Sequence, residues 1–260
     1  MRAAVDYTLA MRIAVLADIH GNLLALEAVL ADLDRDKPDL IVNLGDCASG
    51  PLWPRETLDR LATANALTVR GNHDRQVATL PPDTMGASDR FAYEELETHH
   101  LEQLRALPPV RWVAPDILAF HATPRRDDQY LLDEVVGGRL ARAPLSSIED
   151  RLDGTQARVI LCGHSHRPDM LQLSNGTLVI NPGSVGCPAY GDPNHPAHVM
   201  EAGSPHARYA LLEVLPSGGV NVKFNAVTYQ HELASQRAKT NGSPEWAHAL
   251  RTGVMPSADR

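Results

Sequence analysis

Five short polar groups constrain this chain more than anything else in it: Asp18-Ile19-His20, Gly45-Asp46, Gly71-Asn72-His73-Asp74, His121 and Gly163-His164-Ser165-His166. Each follows directly on an apolar run, at 13–17, 40–44, 67–70, 117–120 and 159–162, and a sixth run lies at 178–180. Short runs rich in Val, Ile and Leu read as strands. Between the first two, Leu23, Leu26, Leu30 and Leu33 recur at helical spacing, and Asn22 stands where it can cap a helix over 22–34. A second helix is expected to start at Pro54 with Leu58 and Leu61 facing inward, and a third to run from Phe91 to Leu107, ahead of Pro108-Pro109. Strands alternating with helices make a layered α/β domain. In open α/β sheets ligands gather at the carboxyl ends of the strands, so five distant segments are expected to converge on one cleft.

The residue types set the chemistry of that cleft. Carboxylates, imidazoles and one amide oxygen, without thiolates, suit manganese, iron or zinc rather than a structural zinc. Alternate residues of an extended segment point the same way, so Asp18 with His20, and His164 with His166, would each present two ligands from one strand end. Gly45, Gly71 and Gly163 let the backbone turn and approach a ligand closely. Asp46 is the candidate bridge, because its two oxygens could hold two cations at the ~3.5–4 Å separation of two-metal hydrolases. A water between those cations would lose a proton near neutrality and become the nucleophile.

The formal net charge of -8 gives no reason to expect avid binding to a nucleic-acid backbone, so an anionic substrate needs local positive charge. Cys47, Cys162 and Cys187 are too few and scattered for a disulfide framework, which makes a reducing cytoplasm the expected compartment. No stretch approaches the ~20 apolar residues of a membrane span. Residues 1–10 read as a frayed extension ahead of Met11, residues 11–230 as the catalytic domain, and residues 231–260 as a short surface helix with a loose tail. A hairpin is expected from 209–215 and 220–227 around Pro216-Ser217-Gly218-Gly219, and a long irregular loop over 187–205.

The order Asp-x-His, Gly-Asp, Gly-Asn-His-Asp, His, Gly-His-x-His resembles that of the calcineurin-like metallophosphoesterase superfamily over residues 12–186. The resemblance implies an α/β/β/α fold of two mixed sheets flanked by helices. It implies one metal held by Asp18, His20, Asp46 and His166, and a second held by Asp46, Asn72, His121 and His164. His73 would then act on the substrate as acid or phosphate stabiliser, with Asp74 orienting it. Two divalent ions are expected, manganese first, with iron, zinc, nickel or cobalt as alternatives. The sequence after Asp46 lacks the Val-Asp-Arg-Gly of serine/threonine protein phosphatases. Gly50-Pro51, His121-Ala122-Thr123-Pro124 and Asn181-Pro182-Gly183-Ser184-Val185-Gly186 look more like the compact bacterial phosphodiesterase branch. Ala122 departs from the glycine common after the ligand histidine.

Other features carry two readings each. Arg125 and Arg126 are a phosphate clamp or two solvated loop arginines. Asn181 to Gly186 is a tight turn or an anion-binding nest. His99-His100 reads as surface, His195, His198 and His206 as loop histidines, and Cys47 as a buried filler. The leading function is metal-dependent hydrolysis of a small phosphate ester by a metal-bridged water or hydroxide. The alternatives are a non-catalytic scaffold of the same fold and a nuclease, and oligomeric state is left open.

Overall fold

A computed structural model describes residues 9–257 apart from His195. The extension expected over 1–10 therefore falls, but for its last two residues, outside the described residues. With strands and helices numbered along the chain, two five-stranded sheets face each other. The first has the order β14 (Val220–Val227), β13 (Ala207–Val214), β1 (Met11–Leu16), β2 (Leu40–Asn43), β3 (Leu67–Thr68). The second has the order β4 (Val110–Ala114), β5 (Ile117–Phe120), β8 (Val159–Leu161), β10 (Leu178–Asn181), β9 (Asp169–Gln172). Both are mixed: β1, β2 and β3 run parallel while β13 and β14 are antiparallel, and β5, β8 and β10 run parallel between antiparallel edges.

Strand alternation explains the layers. Ile13, Val15, Val42, Ile117, Val159, Leu161, Ile180 and Leu212 point between the sheets and form one buried cluster. The opposite faces carry Ala14 and Leu16, packed on α1 (Leu23–Asp36) and α2 (Pro54–Thr63), and Leu118, Phe120 and Ile160, packed on α6 (Leu145–Leu152). The result is the expected α/β/β/α sandwich. Asn22 Oδ1 accepts the Ala25 amide at 3.2 Å, so the cap read from the sequence forms, and Pro54 opens α2. The 207–227 hairpin forms as well and closes the edge of the first sheet.

Three elements differ from expectation. The helix over 91–107 is two helices, α4 (Ala87–Glu95) and α5 (Thr98–Ala106), broken where Leu96 and Glu97 turn extended. The break is held because Leu96 packs into the core and His100 Nδ1 accepts the Glu97 amide at 3.2 Å, capping α5. The loop expected at 187–205 contains β11 (Ala189–Asp192) and β12 (His198–Glu201). They join β6 (Asp133–Val136) and β7 (Arg139–Arg142) in a third, four-stranded mixed sheet, order β11-β12-β7-β6. Where a short surface helix and a loose tail are expected, two packed helices stand, α7 (His231–Thr240) and α8 (Pro244–Thr252), whose Ala234, Ala238, Ala247 and Leu250 bury Leu52. Among the described residues no helix is long and apolar enough to cross a membrane.

Candidate metal centre

The loops after β1 and β2 are laced together by backbone hydrogen bonds. Asp18 N donates to Gly45 O at 3.0 Å, His20 N to Asp46 O at 2.9 Å and Gly21 N to Cys47 O at 2.9 Å. The turns that carry the ligands have an unusual backbone. Asp18, His20, Asp46, His164 and His166 all have positive φ, between 52° and 68°. Left-handed backbone costs a non-glycine residue about 1–3 kcal/mol and persists where the surroundings impose it, most often at functional sites. The paired ligands therefore come from left-handed turns, and the extended-segment reading of Asp-x-His and His-x-His is corrected. Glycine is needed at Gly71, where an added Cβ would overlap Asp46 Oδ1, and at Gly45, whose φ is +98°.

All seven expected ligands meet in one place. Asp18, His20 and His166 bring their ligand atoms within 4.8 Å of one another, and so do Asp46, His121 and His164. Asn72 Oδ1 stands 3.0 Å from His121 Nε2. Asp46 Oδ2 lies between the two groups, 3.9 Å from His20 Nε2 and 3.3 Å from His121 Nε2. Asp46 Oδ1 accepts the His73 amide at 2.9 Å. Oδ2 is thus the oxygen that faces both groups, while Oδ1 is engaged by the His73 amide.

The imidazoles are oriented from behind. His20 Nδ1 is 2.8 Å from Ser49 O, His121 Nδ1 2.8 Å from Leu44 O and His166 Nδ1 2.9 Å from Cys187 O, while the Asp128 backbone bonds His164. A carbonyl only accepts, so each of these nitrogens carries its ring's proton. A neutral ring then has a bare lone pair on the other nitrogen. At His20 and His166 those lone pairs face each other, Nε2 to Nε2 at 3.2 Å, while His121 Nε2 lies 3.2 Å from His164 Nδ1 with Asn72 Oδ1 and Asp46 Oδ2 also in reach. Asp18 Oδ1 is buried beside them without a hydrogen-bond partner, 3.5 Å from His166 Nε2. Facing lone pairs and an orphaned carboxylate oxygen repel unless a cation or a proton lies between them, and this donor set fits divalent metal.

Electrostatics agree for His20, His164 and His166, whereas burial acts to lower His121 but Asp46 and Asp18 raise it to about 10, so that without a cation this ring holds a proton. Burial lowers His20 to about 4 and, with His121 nearby, His164 to about 3, so both rings are neutral at pH 7 as ligands must be. Burial, with the His20 ring close by, holds His166 well below its usual value. Burial raises Asp18 to about 8. Burial acts to raise Asp46 as well, but His121 and His73 hold it well below the usual carboxylate range.

His73 and Asp74 start α3 (Asn72–Thr79) beside the cluster. Asp74 does not orient His73, which corrects the role expected for it. Its Oδ2 accepts the amides of Gly71 and Asp46, both at 2.9 Å, and its Oδ1 that of Cys47 at 2.8 Å, so it locks the Asp46 turn to α3. Asp89 of α4 orients His73 instead, its Oδ1 2.7 Å from His73 Nδ1. Burial acts to lower His73, but Asp46 and the Asp89 hydrogen bond raise it to about 9.

Sequence reasoning also missed Tyr130 and Tyr190. The Tyr130 ring lies against His164 with centroids 4.8 Å apart, and the Tyr190 ring meets His166 edge-on, also at 4.8 Å. Trp246 of α8 approaches His20 at 5.9 Å. None of these carried a signal in the sequence, because no local pattern ties them to the ligand motifs.

The remaining candidates resolve as follows. Arg125 and Arg126 are 75% and 61% exposed and paired with Asp153 and Asp128, so neither is held toward the ligand cluster. The amides of Val185, Gly186 and Cys187 donate to Ala17 O, Asp18 O and Ser184 Oγ, so the 181–186 segment splints the Asp18 turn and the nest reading fails. Cys47 is buried, as expected. His100 is buried, contrary to the surface reading, with Nε2 3.2 Å from Asp59 Oδ1. Because its Nδ1 accepts the Glu97 amide, the proton sits on Nε2, and the Asp59–His99–His100 group offers no imidazole lone pair there to a metal. His198 belongs to β12 and is buried rather than a loop histidine.

Residues 11–202 match the calcineurin-like phosphoesterase superfamily domain. The chain belongs to that superfamily, which depends on divalent metal, and the ligand groups support a metal-dependent phosphoester hydrolase. It is similar to a metallophosphoesterase from Sphaerobacter thermophilus, with 27% identity, 94% of this chain and 100% of that one covered, and a TM-score of 0.72. It is also 26% identical to an uncharacterized protein of Methanocaldococcus jannaschii over 260 residues, 90% of this chain and 94% of that protein.

Proposed function

We propose that this chain hydrolyses small phosphate esters with two divalent cations, manganese foremost, held in the cluster described above. The observation that carries the reading is the facing of the His20 and His166 Nε2 lone pairs at 3.2 Å, each ring fixed by a carbonyl behind it, beside the unpartnered Asp18 Oδ1. Asp18, His20, His166 and Asp46 Oδ2 would hold one cation, and Asp46 Oδ2, Asn72, His121 and His164 the other. Bound there, the cations would supply Lewis-acid charge on the phosphoryl oxygens and lower the pKa of the attacking water.

The chain's own residues do the rest. Asp89 holds His73 Nδ1–H, which leaves Nε2 on a side chain that is one-third exposed beside the cluster. Protonated at neutral pH, His73 donates from Nε2 to the departing alkoxide oxygen. The Asp74 and 181–186 contacts keep the Asp46 and Asp18 turns fixed while this happens. A scaffold would need none of this ligand geometry, which favours the enzyme reading. The three free cysteines, all buried, are in keeping with a cytoplasmic location.

The test is turnover of p-nitrophenyl phosphate and bis(p-nitrophenyl) phosphate by metal-loaded protein. Hydrolysis of at least one ester, abolished by chelation and restored by manganese, is expected. Undiminished turnover by protein shown to be metal-free, or none by protein shown to be loaded, would overturn the reading.

A further inference from the structure

A cavity of about 460 Å³ opens beside His121, with Arg70, Arg75, Arg125 and Arg126 in its wall against only Asp127 and Asp128. So strong a local excess of positive charge stands out in a chain of net charge -8. Three of the four guanidinium groups are already matched. Arg75 makes a two-pronged contact to Asp127 at 2.7 and 2.8 Å, Arg126 meets Asp128 at 3.0 Å, and Arg125 meets Asp153. Arg70 is the exception: among the described residues it has no ion pair, and its Nε is buried without a hydrogen-bond partner. Arg70 is half-buried and its charge helps to lower Asp127, but a buried N–H of a charged group left without a partner is costly, and native structures rarely leave one unless something else satisfies it.

The position of Arg70 is as informative as its lack of a partner. Its amide is tied to Pro108 O at 2.8 Å, and the next residue, Gly71, is pressed against Asp46. Two residues on is Asn72, so the guanidinium projects from the segment that carries part of the ligand cluster. His121 belongs both to that cluster and to the cavity wall. A substrate with one phosphoryl group at the cluster and a second at Arg70 would span the two along this shared wall residue, whose own side chain is buried.

We infer that this cavity is a subsite for a second phosphate group, with Arg70 as its anchor, so that the preferred substrates are esters carrying two phosphate groups. The planar guanidinium fork matches phosphate oxygens and binds them with charge-assisted hydrogen bonds. The arginines already paired keep the two aspartates of the wall from repelling it. The inference rests on the phosphoesterase reading and goes beyond it by naming what the rest of the substrate carries.

The test compares manganese-loaded protein on matched esters: adenosine 5′-phosphate with adenosine 3′,5′-bisphosphate, and glucose 1-phosphate with glucose 1,6-bisphosphate. For at least one pair KM should be about tenfold lower or more for the bisphosphate, the effect of one charged hydrogen bond, and added salt should shrink that advantage. Arg70→Gln should remove it, raising KM for the bisphosphate far more than for the monophosphate with kcat little changed. Equal KM within both pairs in the unsubstituted protein overturns the subsite even if the variant cannot be purified. A variant that keeps the advantage overturns Arg70 as its anchor. Turnover of none of the esters by loaded protein contradicts the phosphoesterase reading, and the subsite with it.

Discussion

On the β11–β12 side of the ligand cluster the polar tips satisfy one another. His198 Nδ1 donates to Pro196 O at 2.9 Å, which leaves Nε2 to accept from Tyr130 at 2.9 Å, and Tyr190 in turn donates to Tyr130 at 2.8 Å. Burial raises Tyr130 to about 12, so this chain of phenols stays protonated. On the α3 side the opposite holds. His73 is one-third exposed with one nitrogen committed to Asp89, and Arg70 Nε has no partner. A closed network can only hold its neighbours in place, here His164 and His166. Groups left unsatisfied beside a cleft are the ones with bonding capacity for a substrate. Under the proposed function the two flanks would divide the work, one positioning ligands and the other meeting the ester.

The largest effect that tests this division is at His73. His73→Ala should lower turnover by roughly 10² to 10⁴ while keeping its metal, as elemental analysis would report. Asp89→Asn should cost less, on the order of 10–100-fold, because it acts through His73. The pH profile separates that role from simple damage. With His73 raised to about 9, activity on esters with poor leaving groups should fall as pH rises through that value, where the ring loses its proton. Asp89 is among the groups that raise it, so Asp89→Asn should move this alkaline limb to lower pH. A limb that stays in place would make Asp89 a packing residue.

Smaller effects belong to the closed flank. Tyr130→Phe keeps the ring against His164 and deletes only the hydroxyl, so manganese affinity by calorimetry should weaken by less than about tenfold, with KM unaltered in the loaded enzyme. A large rise in KM at unchanged metal affinity would show that this side also meets substrate and would erase the contrast.

The two flanks also differ in how legible they were. The ligands could be read because each sits where a strand ends, and strand-end position is a local property of the sequence. Their spacing pointed to residues that the fold gathers in one place, but through the wrong backbone, since Asp18, His20, His164 and His166 take left-handed turns. Asp74 looked like the partner of His73 because it is adjacent in sequence, yet its side chain turns back to cap α3. Asp89, sixteen residues on, reaches the ring only through the packing of α4 on α3. Residues 187–205 read as a loop because prolines and glycines weaken the strand signal there. Pairing of β12 with β7, some sixty residues earlier, is a tertiary decision that no window of sequence contains. Trp246 came to the site by the docking of α7 and α8, where the sparse apolar residues pointed only to a short surface helix and a loose tail.

A two-cation centre that shares Asp46 Oδ2 stands or falls on its metal stoichiometry. Metal-stripped protein would be titrated with manganese and assayed by elemental analysis after desalting, alongside Asp46→Asn. About two manganese ions per chain are expected for the unsubstituted protein. About one or fewer is expected for the variant, because the amide removes the shared negative charge that offsets repulsion between neighbouring cations. Fewer than one ion in the unsubstituted protein, or two tightly held ions in Asp46→Asn, would contradict that centre.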